Sequence, residues 1–428
     1  MNQVVSGSKY RAYPEYKGSG VEWLGDIPTH WKVARLKHLA QIKNGQDYKT
    51  VEATSGYPVM GSGGKFTYAT KFMYDKESVL LGRKGTIDKP LYINEPFWTV
   101  DTMYYTEINK DVPAKYLHYL ALTIQFDRYS TNTALPSMTQ EHLGNYSFGV
   151  PEREMERRQI ANFLDHETAK IDTLIEEQQS LIRLLKEKRQ AVISHAVTKG
   201  LNPGAPMKDS GVEWLGEVPA HWEVIKTKRF FSLECHPAPV NNDMELLSVY
   251  TDIGVRPRKS LEQKGNKAST TDGYWIVKQG DLVVNKLLAW MGAVGYSDFD
   301  GVTSPAYDIL RKRRDLNPKF FHYLFRTKQT QSEFKRWSRG IMEMRLRLYF
   351  EELGQILMPF PPPSEQNDIV SNIETLEFQY DGIITEAELQ IGYLQERRTA
   401  LISAAVTGKI DVRNWVAPKQ KEQAVEVI

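Results

Sequence analysis

The sequence predicts an α+β protein: two β-rich domains separated by two long helices in an antiparallel coiled coil, the whole a pseudo-twofold, circular duplication. Three echoes predict it. Residues 20–31, GVEWLGDIPTHW, return at 211–222 as GVEWLGEVPAHW, with nine of twelve positions identical at an offset of 191. AKYLHYL at 114–120 returns as PKFFHYL at 318–324, offset 204, and EKRQAVISHAVT at 187–198 returns as ERRTALISAAVT at 396–407, offset 209. Periods of this length are domain-sized, far above those of solenoid repeats. The order predicted along the chain is a tail at 1–17, a first β-rich domain at 18–150 and a first long helix at 151–199. A linker with the second β-rich domain follows at 200–358, then a second long helix at 359–412 and a tail at 413–428.

The β-rich reading rests on runs of β-formers broken by turn residues. SVLLGRKGT (78–86) and PFWTVDTMYYTEI (96–108) read as strands in the first domain, WIVKQGDLVVNK (275–286) and TSPAYDILRKR (303–313) in the second. A helix beginning at Pro113 places Tyr116, Leu117, Leu120 and Ile124 at helical spacing, with proline near its start. The long helices are free of proline and nearly free of glycine. Taking every seventh residue puts Leu164, Ile171, Gln178, Leu185 and Val192 on one position of the first, with Leu174 and Leu181 three residues later. Adding 209 gives Ile373, Tyr380, Ala387, Leu394 and Leu401, with Leu376 and Ile383 on the complement. The predicted helix–helix interface is therefore Leu164, Ile171, Leu174, Leu181, Leu185 and Val192 against Ile373, Leu376, Tyr380, Ile383, Leu394 and Leu401. Gly200, Pro203, Gly204 and Pro206 stop the first helix, and a circular design brings the carboxyl-terminal segment back to the amino-terminal one.

Composition bounds the partners. With 41% hydrophobic and 25% charged residues the 428-residue chain is ordinary globular protein, long enough for two or three cores. Cys235 is the only cysteine, which leaves no intrachain disulfide or cysteine-based zinc cluster and points to the reducing cytoplasm. The amino-terminal segment lacks a signal-like apolar run and no stretch suits a membrane span, so a cytoplasmic protein with no membrane partner is expected. Lysine and arginine number 55 against 53 acidic residues, net +2, so any basic surface must come from segregation of charge.

Catalytic signatures fail one by one. The loop GSGGKF at 61–66 has Val59 where a P-loop needs glycine and Phe66 where it needs Ser or Thr, so it reads as a turn. There is no HExxH, GxSxG or correctly placed GxGxxG. No Pro-Asp step opens a nuclease carboxylate motif, and the Pro361–Pro363 run, followed by Ser364, is a stiff lead-in to a helix rather than an amino-methyltransferase motif. His30 and His221 recur beside Trp31 and Trp222 and read as structural. The chain is expected to be no enzyme, with catalytic and metal residues both none.

The β-rich domains instead carry basic groups beside aromatic and amide side chains. In the first these are Lys65, Arg83 and Lys84, with Asn132 and Ser137; in the second, Arg256, Arg258, Lys286, Trp290, Arg339, Arg345 and Arg347. Such groups neutralise phosphates and read guanine bidentately, while asparagine can read adenine. Clustered on the variable part of a duplicated scaffold, they are candidates for DNA binding.

The repeated GVEWLGxxPxHW, the PVMGSGGK and LGRKGT segments, the proline-led helix starts VPEREMERRQI and FPPPSEQNDI, and the endings VISHAVT and LISAAVT together resemble the specificity subunit of type I restriction-modification systems. The likeness covers nearly the whole chain. One departure is Glu156-Arg157, where the family often has Glu-Gln, as at Glu365-Gln366. The resemblance implies a non-catalytic subunit in which each target-recognition domain reads one half of a bipartite, asymmetric site in double-stranded DNA. It implies that the helices act as a ruler for the spacer and that two modification (methyltransferase) subunits dock, with a restriction/translocation subunit added. It also implies no cofactor in this chain, AdoMet, ATP and magnesium belonging to the partner subunits. From Leu164 to His195 is about 46 Å of helix at ~1.5 Å per residue, comparable to about fourteen base pairs at ~3.4 Å each. The alternative is a coiled-coil scaffold or decoy that binds modification subunits without reading DNA.

Overall fold

The computed structural model describes residues 10–128, 136–251, 253–260, 271–342 and 345–417. It divides into two compact units, Met1–Gln179 with Leu389–Ile428, and Ser180–Glu388. Each unit holds one β-rich domain together with part of each long helix. Seven α-helices are named in chain order: α1 Ala114–Ala121, α2 Gln140–Asn145, α3 Glu154–Lys199, α4 Pro318–Phe325, α5 Lys328–Trp337, α6 Phe350–Leu353 and α7 Pro363–Val406.

The first unit is built on an antiparallel sheet in the order Ala40–Asn44, Met103–Ile108, Ser78–Gly82, Leu91–Ile93. Along its strand Ser78–Gly82, Val79 and Leu81 join the core beneath α1 while Leu80 joins a second core with Val59, Phe97 and Met103. Period-two alternation between two cores explains why this strand reads as continuously apolar. The second unit repeats the device: Leu282 and Val284 enter one core and Val283 the other. Its sheet runs Phe231–Leu233, Tyr307–Lys312, Leu282–Asn285, Val294–Tyr296.

Three of the runs read as single strands are each split by a turn. Trp98–Thr99 and Met103–Ile108 flank a break at 100–102, Trp275–Val277 and Leu282–Asn285 one at 278–281, and Gly301–Thr303 and Tyr307–Lys312 one at 304–306. α1 ends at Ala121 and leaves Ile124 and Phe126 to pack from the turns that follow. GSGGKF is a hairpin turn between Tyr57–Gly61 and Gly64–Ala69, with Gly64 at φ 101°.

The repeated tryptophan segment straps each β-rich domain to a long helix. Trp31 is fully buried and its Nε1 donates to Glu156 Oε1 at 2.9 Å, where Tyr13 OH also donates at 2.8 Å and His30 Nε2 lies 3.0 Å from Oε2. In the second unit Trp222 Nε1 donates to Glu365 Oε2 at 3.0 Å and His221 Nε2 lies 2.7 Å from the same oxygen. Each strap continues into a strand paired with the one that leads into the helix, Trp31–Arg35 with Ser147–Pro151 and Glu223–Lys226 with Leu357–Phe360. Beside the straps, Trp23 tilts over Tyr146 at 5.1 Å and Trp214 packs against the second core.

Arg157, the departure from Glu-Gln, keeps the helix start satisfied. Its Nη1 donates to Pro151 O at 2.9 Å and Glu152 O at 3.3 Å, and its Nη2 to Asp111 O at 2.8 Å. Gln366 instead donates to Pro361 O at 2.8 Å and accepts from Asn317 N at 2.8 Å.

Lys115 and Tyr119 on α1 reach Asp165 of α3 at 2.6 and 2.8 Å. Lys319 and Tyr323 on α4 reach Glu374 and Glu377 of α7, both at 2.6 Å. The helix echo is thus an anchor of each domain to its long helix. In the first unit Asp411 N donates to Arg11 O at 2.7 Å and Tyr16 OH to Gly408 O at 3.0 Å, so the carboxyl-terminal segment meets the amino-terminal one. Gly408 stands at φ 74° after α7, where a Cβ would come 2.5 Å from Pro28 Cδ; only glycine fits.

Within the first unit the early part of α3 packs with the late part of α7: Ile160, Phe163 and Leu164 share a core with Ile402, Ala405 and Val406, and Asp172 pairs with Arg398. Within the second, Ile193, Ala196 and Val197 share a core with Ile369, Val370 and Ile373, and Arg189 pairs with Asp381. In each unit the direction is antiparallel. The seam differs from the predicted one at its complementary positions. Leu174, Leu181 and Ile383 are exposed, by 44, 40 and 49%. Ile175 and Ile182 are more covered than the leucines before them, and Ile384 is buried. Inward positions therefore recur at four residues after the first, through Ile175, Ile182 and Arg189, and through Ile384, Ile391 and Arg398. Leu164, Ile171 and Ile373 are buried and Leu185, Val192, Leu376, Tyr380, Leu394 and Leu401 are half-buried. Among the described residues no helix is long and apolar enough to cross a membrane.

Candidate nucleic-acid interface

In the first domain the loop after Ser78–Gly82 is fixed by its backbone. Arg83 N and Lys84 N donate to Thr102 O at 2.9 and 3.2 Å, Gly85 N to Pro136 O at 3.0 Å, and Met138 N to Arg83 O at 3.0 Å, while Lys84 bridges to Ser137. Thr102 also borders a cleft of about 520 Å³ lined by Tyr48, the hairpin Gly61–Phe66, Val100 and Asp101. One edge of the domain therefore gathers Lys65, Arg83, Lys84 and Ser137. Lys84 and Lys65 are exposed; Lys65 donates to Tyr68 OH at 3.0 Å and Arg83 to Asp101 O at 3.2 Å. Asn132 lies outside the described residues. Phe66, exposed beside Lys65 with its edge against Tyr48, belongs to the same edge and was missed, since an aromatic in a turn carries no periodic signal.

The second domain closes its corresponding loop with the same bond, Leu348 N to Lys286 O at 2.9 Å. MTQEHLGNYSFGVP at 138–151 and LYFEELGQILMPFP at 348–361 align at an offset of 210, so Ser137 and Arg347 hold corresponding places. Arg339 and Arg347 exchange two backbone hydrogen bonds of 2.9 Å, a short hairpin that presents exposed Arg339, Arg345 and Arg347. The guanidinium of Arg339 is held by Glu352. Arg258 acts electrostatically on Tyr307, whose strand partner Asn285 precedes Lys286, so it lies at this edge too.

Three predicted residues are otherwise engaged. Lys286 Nζ is half-buried between Pro305 O at 2.8 Å and Asp308 Oδ1 at 3.2 Å. Burial pushes the Asp308 carboxyl up and the Lys286 ammonium beside it opposes that rise, so Lys286 is directed inward to this partner. Trp290 donates to Leu287 O at 3.0 Å and lies 5.1 Å beneath Lys335 Nζ, so its ring is part of the packing and Lys335 is the exposed cation above it. Arg256 lines a separate polar cleft of about 580 Å³ with Lys319, His322, Arg326 and Asp381. Cys235 is half-buried, and burial pushes its thiol up, disfavouring the thiolate.

Two loop clusters of exposed cations on duplicated β-rich scaffolds form the candidate nucleic-acid interface. Residues 28–183 match the family model for the type I restriction modification DNA specificity domain. The chain is 21% identical over 425 residues to the EcoDI type I restriction enzyme specificity subunit of Escherichia coli, covering 92% of this chain and 91% of that protein. It is also 21% identical over 425 residues to the MjaVIII specificity subunit of Methanocaldococcus jannaschii, covering 91% and 95%. Among solved structures, a chain from a study of type I restriction-modification complex assembly and conformational transition matches with TM-score 0.58 at 14% identity, over 90% of this chain and 99% of that one. Residues 28–183 thus carry a type I restriction modification DNA specificity domain, and the chain is similar along nearly its whole length to type I restriction enzyme specificity subunits.

Proposed function

We propose that this chain is the non-catalytic reader of a bipartite, asymmetric site in double-stranded DNA. Each β-rich domain reads one half-site and the paired helices set the spacer. The observation that carries the reading is the matched pair of loop clusters, closed by Met138 N to Arg83 O in one domain and Leu348 N to Lys286 O in the other. One scaffold holds different side chains at the same place, Ser137 against Arg347, as two readers of different sequences require. Backbone-contacting cations fix register and base-edge contacts specify sequence.

Two modification (methyltransferase) subunits and a restriction/translocation subunit complete the system under this reading, and AdoMet, ATP and magnesium belong to them. The second unit offers apolar helix surface to such partners: Leu184, Phe378 and Ile383 are exposed by 54, 82 and 49%. That surface also favours the rival reading, a scaffold or decoy that holds modification subunits without reading DNA. Binding to random-sequence duplex pools separates the two. A reader enriches a bipartite motif, and its affinity falls linearly in log-log with salt. A scaffold enriches no motif while still retaining its modification subunits.

A further inference from the structure

The hairpin closed by Arg339 and Arg347 carries an apolar apex. Ile341 is 104% exposed and Met342 50% exposed. At the start of the turn Gly340 stands at φ 150°, and a Cβ on it would come 2.7 Å from Arg345 O, so the two arms lie close together there and only glycine fits. Arg339 precedes the apex and Arg345 and Arg347 follow it, all exposed. An isolated apolar surface of this kind costs free energy in water. Its cationic surroundings are complementary to a polyanion, not to an apolar protein groove.

We propose that Ile341, with Met342 beside it, is a wedge that enters between two stacked base pairs of the second half-site while Arg347 holds a flanking phosphate and Arg345 meets a base edge beside the wedge. This rests on the reading of the second domain as a DNA reader. Side chains of these types, set among cations, are what proteins insert to unstack and kink a duplex. A wedge also opens a place for sequence selection without hydrogen bonds, because pyrimidine–purine steps unstack most readily.

The test uses the full-length chain with its modification subunit and a duplex carrying the bipartite motif returned by methylation mapping. 2-Aminopurine replaces each purine of the second half-site in turn. Wild-type protein is expected to raise its fluorescence at one step, and Ile341→Ser with Met342→Ser to lose that rise while the duplex stays bound. Arg345→Ala is expected to weaken binding yet keep the rise in whatever fraction is bound. A bound duplex with no rise at any step, or the same rise with the serine variant, overturns the wedge and leaves the reader intact. Loss of binding on thymine-to-uracil replacement without any rise makes the apex a methyl contact and also overturns it. Loss of the modification subunit from the serine variant, with fluorescence unchanged, makes the apex a protein contact. Failure of wild-type protein to bind any duplex overturns both readings together.

Discussion

Arg398 of α7 donates from Nε and Nη2 to the two carboxylate oxygens of Asp172 on α3, at 2.8 and 3.3 Å. Adding the 209-residue offset to Asp172 gives Asp381, and adding it to Arg189 gives Arg398; Arg189 and Asp381 are themselves paired in the second unit. One ion pair is thus present twice, each copy joining the two long helices. Both partners of the first pair are about a third to a half exposed, so solvent screening limits its contribution to roughly 0.5–1 kcal/mol. Arg398→Asp is expected to lower the melting temperature by about 1–4 °C, and adding Asp172→Arg to restore most of it. Calorimetry of the single and double variants measures this, and no recovery in the double variant would remove the pair from the account.

The straps should be far more sensitive. The Glu156 carboxylate is 5% exposed and accepts from Tyr13 and Trp31. Glu156→Ala leaves buried donors unpaired at about 1–3 kcal/mol each, an expected loss of ~2–4 kcal/mol. Glu365 is 26% exposed and serves Trp222 and the exposed His221, so Glu365→Ala should cost less. Chemical denaturation of the two variants gives the order, and a reversed order contradicts this account of the straps.

Acid should weaken the protein through two half-buried histidines, His322 and His118. His322 is pushed down to about 3 from 6.5, first by burial and then by Arg326, Arg256 and Lys319, and its Nδ1 accepts from Tyr296 N at 3.1 Å. The folded value lies below the unfolded one, so the unfolded chain binds more protons below about pH 6.5. The stability His322 contributes is complete above that pH and is lost progressively toward pH 3. Between pH 7.5 and 5.5 the loss is about 1.4 kcal/mol. Burial shifts His118 the same way. His322→Asn should flatten the decline in melting temperature over this range, and a decline of unchanged slope would contradict the assignment.

Arg345→Ala is expected to relax recognition of one half-site, by about 1–3 kcal/mol of discrimination if the guanidinium reads a base edge. Selection from random duplexes measures it. Uniform weakening on all sequences, with a shallower salt dependence, would recast Arg345 as a phosphate contact.

What the sequence made legible is what duplication repeats. Trp31 and Glu156, or Trp222 and Glu365, recur because each pair fastens a domain to a helix, and Lys115 and Lys319 recur for the same reason. The helix seam was half legible. Leu174 stands beside Ile175, Leu181 beside Ile182 and Ile383 beside Ile384, so apolar patterning alone left a choice between three and four residues after the first inward position. The loop clusters were legible only as basic composition. Their closure is by backbone atoms, and Lys286 is paired inward with Asp308, a partner set by strand pairing that no local motif announces.

Adenine methylation mapped across a genome tests whether the chain is a bipartite reader with a helical ruler. The chain is expressed with its modification subunit, alongside a variant lacking seven residues from each long helix. One bipartite motif methylated on opposite strands is expected. The variant is expected to keep the same half-sites, with the spacer shortened by about three base pairs at ~1.5 Å per residue and ~3.4 Å per base pair. Absence of any methylated motif, or altered half-sites across an unchanged spacer, would contradict it.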